Sequence, residues 1–170
     1  MKASASVRPQ TVSRRSVLRS AAAAAAVSLA GAARSADPPA APAPYRAAVI
    51  GHTGRGNYGH GLDVVWLNIP NVKVVAVADA DAKGLAAAAK RLGGAAPYAD
   101  YRQMLKETKP DAVSVCTPNS LHVAPTIDAL RAGCHVMCEK PLAMNAKEGE
   151  SMLAAAKKAQ EVSILVDVEG

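Results

Sequence analysis

From position 46 onward, short apolar runs alternate with segments whose apolar residues recur at helical spacing, and this alternation restricts the chain more than any other feature. Strand candidates lie at 47–50, 72–78, 95–98, 112–116, 135–138 and 162–168, most of them rich in Val or Ile. Unbroken apolar runs of that length suit strands buried on both faces. Between them, Leu62, Val65, Trp66 and Ile69 share one helical face, as do Leu85, Ala89 and Leu92, with Gly93 as a stop. Tyr101, Met104 and Leu105 mark a short helix behind Asp100, an N-cap candidate, and Val123, Ile127 and Leu130 form a stripe that stops at Gly133. The last helix opens at Asn145 with Glu148 three residues on, a capping-box arrangement, and Met152, Leu153, Ala156 and Ala159 are its expected buried face. Strand–helix alternation implies right-handed crossovers and a parallel sheet. Six strands with five connections predict an α/β, doubly wound sheet in the order 3-2-1-4-5-6.

The first strand runs into Gly51-His52-Thr53-Gly54-Arg55-Gly56-Asn57-Tyr58-Gly59. Glycines at a strand-to-helix turn let main-chain N–H groups approach a pyrophosphate, and the next helix adds its positive end. Two registers fit. In one, Gly51 is the first glycine, Thr53 stands where the second is usual, and Gly56 is the third. In the other, Gly54, Gly56 and Gly59 match the spacing as written but start three residues late. The first is preferred because the first glycine normally ends the strand, and Thr53 is then expected to hydrogen-bond a phosphate. Asp79 ends the second strand, where a carboxylate receives ribose hydroxyls in dinucleotide-binding (Rossmann) domains. That carboxylate favours NAD over NADP, with Arg55 or Lys83 as the residues that could offset it. The expected cofactor-binding residues of this half are Gly51, Thr53, Gly54, Arg55, Gly56 and Asp79.

The formal net charge of +6 invites a nucleic-acid reading that the placement of the charges removes. Lys2, Arg8, Arg14, Arg15, Arg19 and Arg34 lie in 1–36 with no acid among them, and beyond that point bases and acids balance at 14 each. With aromatics at 3 % and no Phe, no platform for base stacking is offered either. The basic excess belongs to a leader. Ser13-Arg14-Arg15-Ser16-Val17-Leu18-Arg19 precedes an apolar stretch at 21–33, too short to span a bilayer, which needs about 20 apolar residues. Basic start, apolar middle and small-residue end are those of a signal peptide, and the paired arginines before a weakly hydrophobic Ala-rich run resemble a twin-arginine signal. Residues 1–36 are therefore expected to direct export, to the periplasm or beyond, with no stable membrane anchor. Gly31-Ala32-Ala33 and Ala33-Arg34-Ser35 both offer small residues for cleavage. The Pro-rich stretch at 37–45 reads as a semi-rigid linker to a domain at 46–170.

Two further motifs carry a family resemblance. Thr117-Pro118-Asn119-Ser120-Leu121-His122 follows the fourth strand, and Ala132-Gly133-Cys134-His135-Val136-Met137-Cys138-Glu139-Lys140-Pro141-Leu142-Ala143 spans the fifth. P-N-x-x-H and E-K-P, in that order at those strand ends, resemble the Gfo/Idh/MocA oxidoreductase family over roughly 46–168. The resemblance implies that Glu139 and Lys140 lie beside the nicotinamide, that Lys140 is the catalytic residue and hydrogen-bonds the substrate oxygen, and that Asn119 and His122 line the nicotinamide-ribose side, with Thr117 and Pro118 in the same cofactor-binding loop. It also implies a cis Lys140–Pro141 peptide. Similar proteins act mostly on sugars, inositols and related polyols, and some use bound NAD for glycoside cleavage. They continue into a substrate domain, so the chain is expected to be a truncated product. Its partners are then the dinucleotide and, where a substrate domain is supplied, a sugar or polyol; an oligomer is compatible with the sequence.

The alternative from another class is a non-catalytic NAD-binding module, a sensor or partner subunit. The short-chain dehydrogenase type ranks lower, because no tyrosine has a lysine four residues later. The cysteines are expected to form neither a metal site nor a disulfide framework. Cys116 and Cys138 read as small buried hydrophobes at strand ends, and Cys134 and Cys138 stand too far apart along an extended strand to bridge.

Overall fold

Six parallel strands form one sheet in a computed structural model that describes residues 42–55, 57–58, 61–159 and 164–166. The expected leader, positions 37–41 of the linker, and Gly56 and Gly59 of the glycine loop lie outside the described residues. The strands are β1 (Tyr45–Ile50), β2 (Val72–Ala78), β3 (Ala96–Tyr98), β4 (Ala112–Val115), β5 (His135–Cys138) and β6 (Ile164–Val166). Their spatial order is β3-β2-β1-β4-β5-β6, the doubly wound order expected from the alternation. Ile50 of β1 stands opposite both Ala78 of β2 and Val115 of β4, and Val115 stands opposite Cys138 of β5. The carboxyl ends of four strands are thereby level, which places the residues that follow them along one rim.

Helices α1 (Ala82–Arg91), α2 (Tyr101–Thr108), α3 (Val123–Arg131) and α4 (Ala146–Lys158) cover the sheet. Side chains alternate along each strand, so each strand serves two cores. Ala48 and Ile50 point to one face with Met104, Leu105, Leu130 and Met152 of α2, α3 and α4. Val49 points to the other with Leu85, Ala88 and Leu92 of the α1 region. The N-caps follow sequence chemistry. Asp81 accepts from Gly84 N–H, Asp100 from Arg102 N–H, and Asn145 from Glu148 N–H. Glu148 reaches back, its Oε2 accepting from Met144 N–H and its Oε1 from the Asn145 side-chain amide rather than from Asn145 N–H, a variant of the capping box. Gly93 and Gly133, the expected stops, both have positive φ.

The structure departs from sequence expectation at several places. The stripe Leu62, Val65, Trp66, Ile69 does not become an α-helix. A 3-10 turn spans Val65–Asn68, with i to i+3 bonds from Val64 N–H to Gly61 O and from Leu67 N–H to Val64 O. Gly61 at positive φ, paired β-branched valines and Pro70 leave too short a window for α-helix nucleation. Val65 and Ile69 are consequently exposed, and only Leu62 of the stripe is buried. On α4, Leu153 is 54 % exposed, because the buried side is set by Met152 with the half-buried Ala155, Ala156 and Ala159, about 100° away around the helix. On α1, Ala88 rather than Ala89 is fully buried. Strand β1 begins at Tyr45, inside the expected linker, where it pairs with Val72.

The cysteines are free and buried. Cys116 packs in the α1-side core and Cys138 in the opposite one, so the sheet lies between their thiols. Burial pushes the Cys134 and Cys138 thiols up to about 11, and burial followed by the negative charges of Asp63 and Glu139 raises Cys116 well above its ordinary value, so all three remain neutral, inert thiols near pH 7.

Candidate functional site

The ladder runs one residue past each level strand end. Gly51 N–H donates to Ala78 O (2.9 Å), Asp79 N–H to Tyr98 O (3.0 Å), Cys116 N–H to Ile50 O (2.8 Å) and Glu139 N–H to Val115 O (3.0 Å). Backbone pairing thus fixes the residues that open onto the rim. A cleft of about 740 Å³ lies there, between the β1 and β4 ends where the strand order reverses. Ligands of doubly wound sheets bind at such a switch point.

Three of the sequence-predicted residues, Gly51, Asp79 and Thr117, line the cleft. Asp79 is 4 % exposed. Its Oδ2 accepts from the Thr53 hydroxyl (2.6 Å) and from the Tyr58 hydroxyl (2.7 Å), and its Oδ1 from Asp81 N–H (2.9 Å). Burial pushes the carboxyl up, but the bonds from Thr53, Asp81 and Tyr58 outweigh it and hold Asp79 below the usual carboxylate value. It is therefore a fixed anion near neutral pH. The Thr53 hydroxyl, expected on a phosphate, donates to Asp79 in this structure. Gly54 and Arg55 are exposed beyond the cleft lining, Gly54 with φ +87°.

The P-N-x-x-H loop is arranged differently from expectation. Asn119 is exposed and begins a 3-10 turn (Asn119–Leu121), behind a half-buried Pro118. His122, expected on the nicotinamide-ribose side, lies outside the lining of the cleft. It is fully buried, with Nδ1 2.9 Å from Pro141 O and Nε2 2.8 Å from Thr117 O. The neutral ring donates to one of these carbonyls and the imidazolium to both. His122 ties the loop after β4 to the loop after β5, and a residue that cannot donate would lose that tie, at about 1–3 kcal/mol for a buried acceptor left without its donor. Glu139 is buried and Lys140 half-buried at the end of β5, outside the lining of the cleft, and the Lys140–Pro141 peptide is cis as the resemblance implied.

Sequence reasoning missed the opposite wall. Tyr101 and Arg102, at the start of α2, both hydrogen-bond Asp128 Oδ2 of α3, at 2.8 and 2.9 Å. Burial, then the bond to Asp128, push the Tyr101 hydroxyl up to about 12. Tyr101 reads in sequence as one apolar member of a stripe, and nothing local marks Asp128 as its acceptor. His52 was also passed over as a loop residue. Among the described residues, buried His52 Nδ1 and Thr117 Oγ1 have no hydrogen-bond partner, and both residues face the cleft. Buried polar atoms are normally satisfied, so these two mark where a polar ligand belongs. An adenosine with its ribose hydroxyls and phosphates has the donors and acceptors to meet them and Asp79.

The family model for an oxidoreductase family with a NAD-binding Rossmann fold (Gfo/Idh/MocA) matches residues 45–167. The chain belongs to the Gfo/Idh/MocA family. Its Rossmann domain is the NAD-binding domain of that family. Among relatives, D-glucoside 3-dehydrogenase of Escherichia coli is 40 % identical over 119 residues, 70 % of this chain and 33 % of the relative. Levoglucosan dehydrogenase of Pseudarthrobacter phenanthrenivorans is 37 % identical over 48 % of this chain and 21 % of its own length. Of solved Gfo/Idh/MocA-like structures, myo-inositol 2-dehydrogenase from Lactobacillus plantarum superposes with a TM-score of 0.62 at 32 % identity, over 73 % of this chain and 36 % of that one. The WlbA dehydrogenase from Bordetella pertussis, solved with NADH and UDP-GlcNAcA, gives 0.63 at 29 % identity, over 73 % and 37 %. The chain thus matches between about a fifth and a little over a third of the length of these proteins.

Proposed function

We propose that this chain is the nucleotide-binding part of an exported oxidoreductase that moves hydride between NAD and a carbon of a sugar or polyol. The observation that carries the reading is the switch-point cleft, where Asp79 and the unsatisfied His52 Nδ1 and Thr117 Oγ1 converge beside Gly51. Relatives named for glucoside, levoglucosan and myo-inositol oxidation supply the substrate class. NAD, when bound, supplies the two-electron acceptor. The chain's own residues do the rest. Asp79 accepts from a ribose hydroxyl, Gly51 makes room for the Tyr58 ring beside it, and Lys140 hydrogen-bonds the substrate oxygen. The test joins residues 45–167 to the part of D-glucoside 3-dehydrogenase that lies beyond its match. NADH should form when the chimera is given NAD and a glucoside. A chimera that is folded and binds NAD, yet forms no NADH with glucosides, sugars or inositols, contradicts the hydride-transfer reading.

Export rests on Arg14-Arg15 ahead of the Ala-rich run, in residues outside those described structurally. Replacing both arginines by lysine is expected to retain the protein in the cytoplasm, as fractionation followed by immunoblotting would show. Undiminished delivery of the double variant to the periplasm would remove the twin-arginine assignment.

A further inference from the structure

Tyr58 interrupts a glycine-rich loop with a large side chain that is 4 % exposed. Nothing in the reading above gives that side chain a task. Asn57 and Tyr58 have φ of +38° and +64°, a left-handed pair that L residues keep only where the surroundings hold them. The surroundings do so on two sides. A Cβ on Gly51 would overlap the Tyr58 ring, so the ring occupies the space that this glycine vacates. On the other side the Arg91 guanidinium lies 4.9 Å from the ring centroid, itself held by Asp63 Oδ2 at 3.0 and 2.7 Å. Thr53 is seated in the same way. A Cβ on Gly84, in the first turn of α1, would overlap its hydroxyl. Both vacancies deliver hydroxyls to one carboxylate oxygen.

We infer that Tyr58 is a positioning residue that sets the nucleotide preference of this site, its hydroxyl acting with that of Thr53 to hold the Asp79 carboxylate in one orientation from outside the cleft. The inference rests on the dinucleotide reading above. Asp79 lines the cleft, whereas Thr53 and Tyr58 do not. A carboxylate oxygen accepts about two hydrogen bonds. Oδ2 is filled by the two hydroxyls and Oδ1 takes Asp81 N–H, while Thr53 N–H also bonds the carboxylate. A ribose hydroxyl therefore meets a carboxylate held in one orientation, and turning it aside breaks at least three bonds at once. Burial, then the hydrogen bond and charge of Asp79, raise the Tyr58 hydroxyl above its ordinary range, so it remains a neutral donor. An anion that cannot turn away repels a 2′-phosphate, whereas one free to rotate can retreat from it.

Tyr58→Phe keeps the ring and removes the hydroxyl. Calorimetric titration of this variant and the wild type with NAD and with NADP, folding being checked by circular dichroism, tests the inference. The expected result is weaker NAD binding and an NAD-over-NADP affinity ratio reduced about tenfold, since hydrogen bonds to charged groups are among the stronger ones. A merely structural Tyr58 would weaken both nucleotides equally, and an unchanged ratio overturns the inference. Tighter NAD binding by the variant also overturns it, because the hydroxyl would then be competing with ribose. Should Tyr58→Phe fail to fold, Thr53→Val removes the companion hydroxyl at nearly constant volume; it is expected to narrow the ratio too, and an unchanged ratio there is equally fatal. A wild-type protein that binds neither nucleotide is a different outcome, which removes the dinucleotide reading and the inference with it.

Discussion

In the chimera described above, Lys140→Ala lowers kcat about 10²–10³-fold, the loss typical of removing one group aimed at developing charge. NAD affinity stays within a few fold. The split follows from where Lys140 stands and what it is proposed to touch. It leaves the carboxyl end of β5 directly after Glu139, whose N–H is tied to Val115 O, and its side chain is half-buried outside the cleft that holds Gly51 and Asp79. A group so placed contributes little to dinucleotide affinity. Its ammonium is proposed to act on the substrate oxygen, where negative charge grows as the carbon gives up or receives hydride. Only interactions stronger in the transition state than in the ground state raise kcat. Absorbance of NADH at saturating glucoside reads kcat, and calorimetry reads NAD affinity. Near-normal kcat would make Lys140 a rim charge with no part in the reaction. A loss confined to NAD affinity would assign it to the dinucleotide instead.

Much of the sheet was legible in the sequence because buried strands and amphipathic helices have different periods. The apolar runs at 72–78 and 135–138 became β2 and β5 without change, and α1 to α4 appeared where their stripes and caps placed them. The error at Leu62, Val65, Trp66 and Ile69 has a specific origin. Apolar spacing alone does not outweigh Gly61 and Pro70 at the margins of so short a segment. Leu153 shows the same limit at one position, since spacing names a face while packing decides which side of it is covered.

The site was less legible than the fold. Asp79 and Gly51 could be placed because strand ends are predictable, and Thr117 followed from its motif. The link from His122 to Thr117 O and Pro141 O could not be read from the sequence, because those carbonyls come together only once β4 and β5 are paired. Tyr58 and Thr53 stood among the loop residues, and their shared acceptor lies 21 and 26 positions away. One local signal was available. A glycine in the first turn of a helix costs about 0.5–1 kcal/mol relative to Ala, so Gly84 implied that something approaches α1 closely, and that something is Thr53.

The central claim is that this domain holds NAD at the switch-point cleft with Asp79 on the ribose. Calorimetric titration of the purified protein with NAD and NADP, beside Asp79→Ala, tests it most directly. The wild type should bind NAD at one site per chain and more tightly than NADP. In Asp79→Ala the gap should narrow, because the variant loses both the acceptor for the ribose hydroxyl and the anion that faces a 2′-phosphate. The wild-type preference should persist down to the acid range. Asp79 is held below its ordinary value in the folded protein, so its charge is present at neutral pH and is lost only as pH falls through that lowered value. Tighter binding of NADP by the wild type, or an Asp79→Ala variant with an unchanged gap, would contradict the role given to Asp79. Binding of neither nucleotide by the folded wild-type protein would contradict the account as a whole.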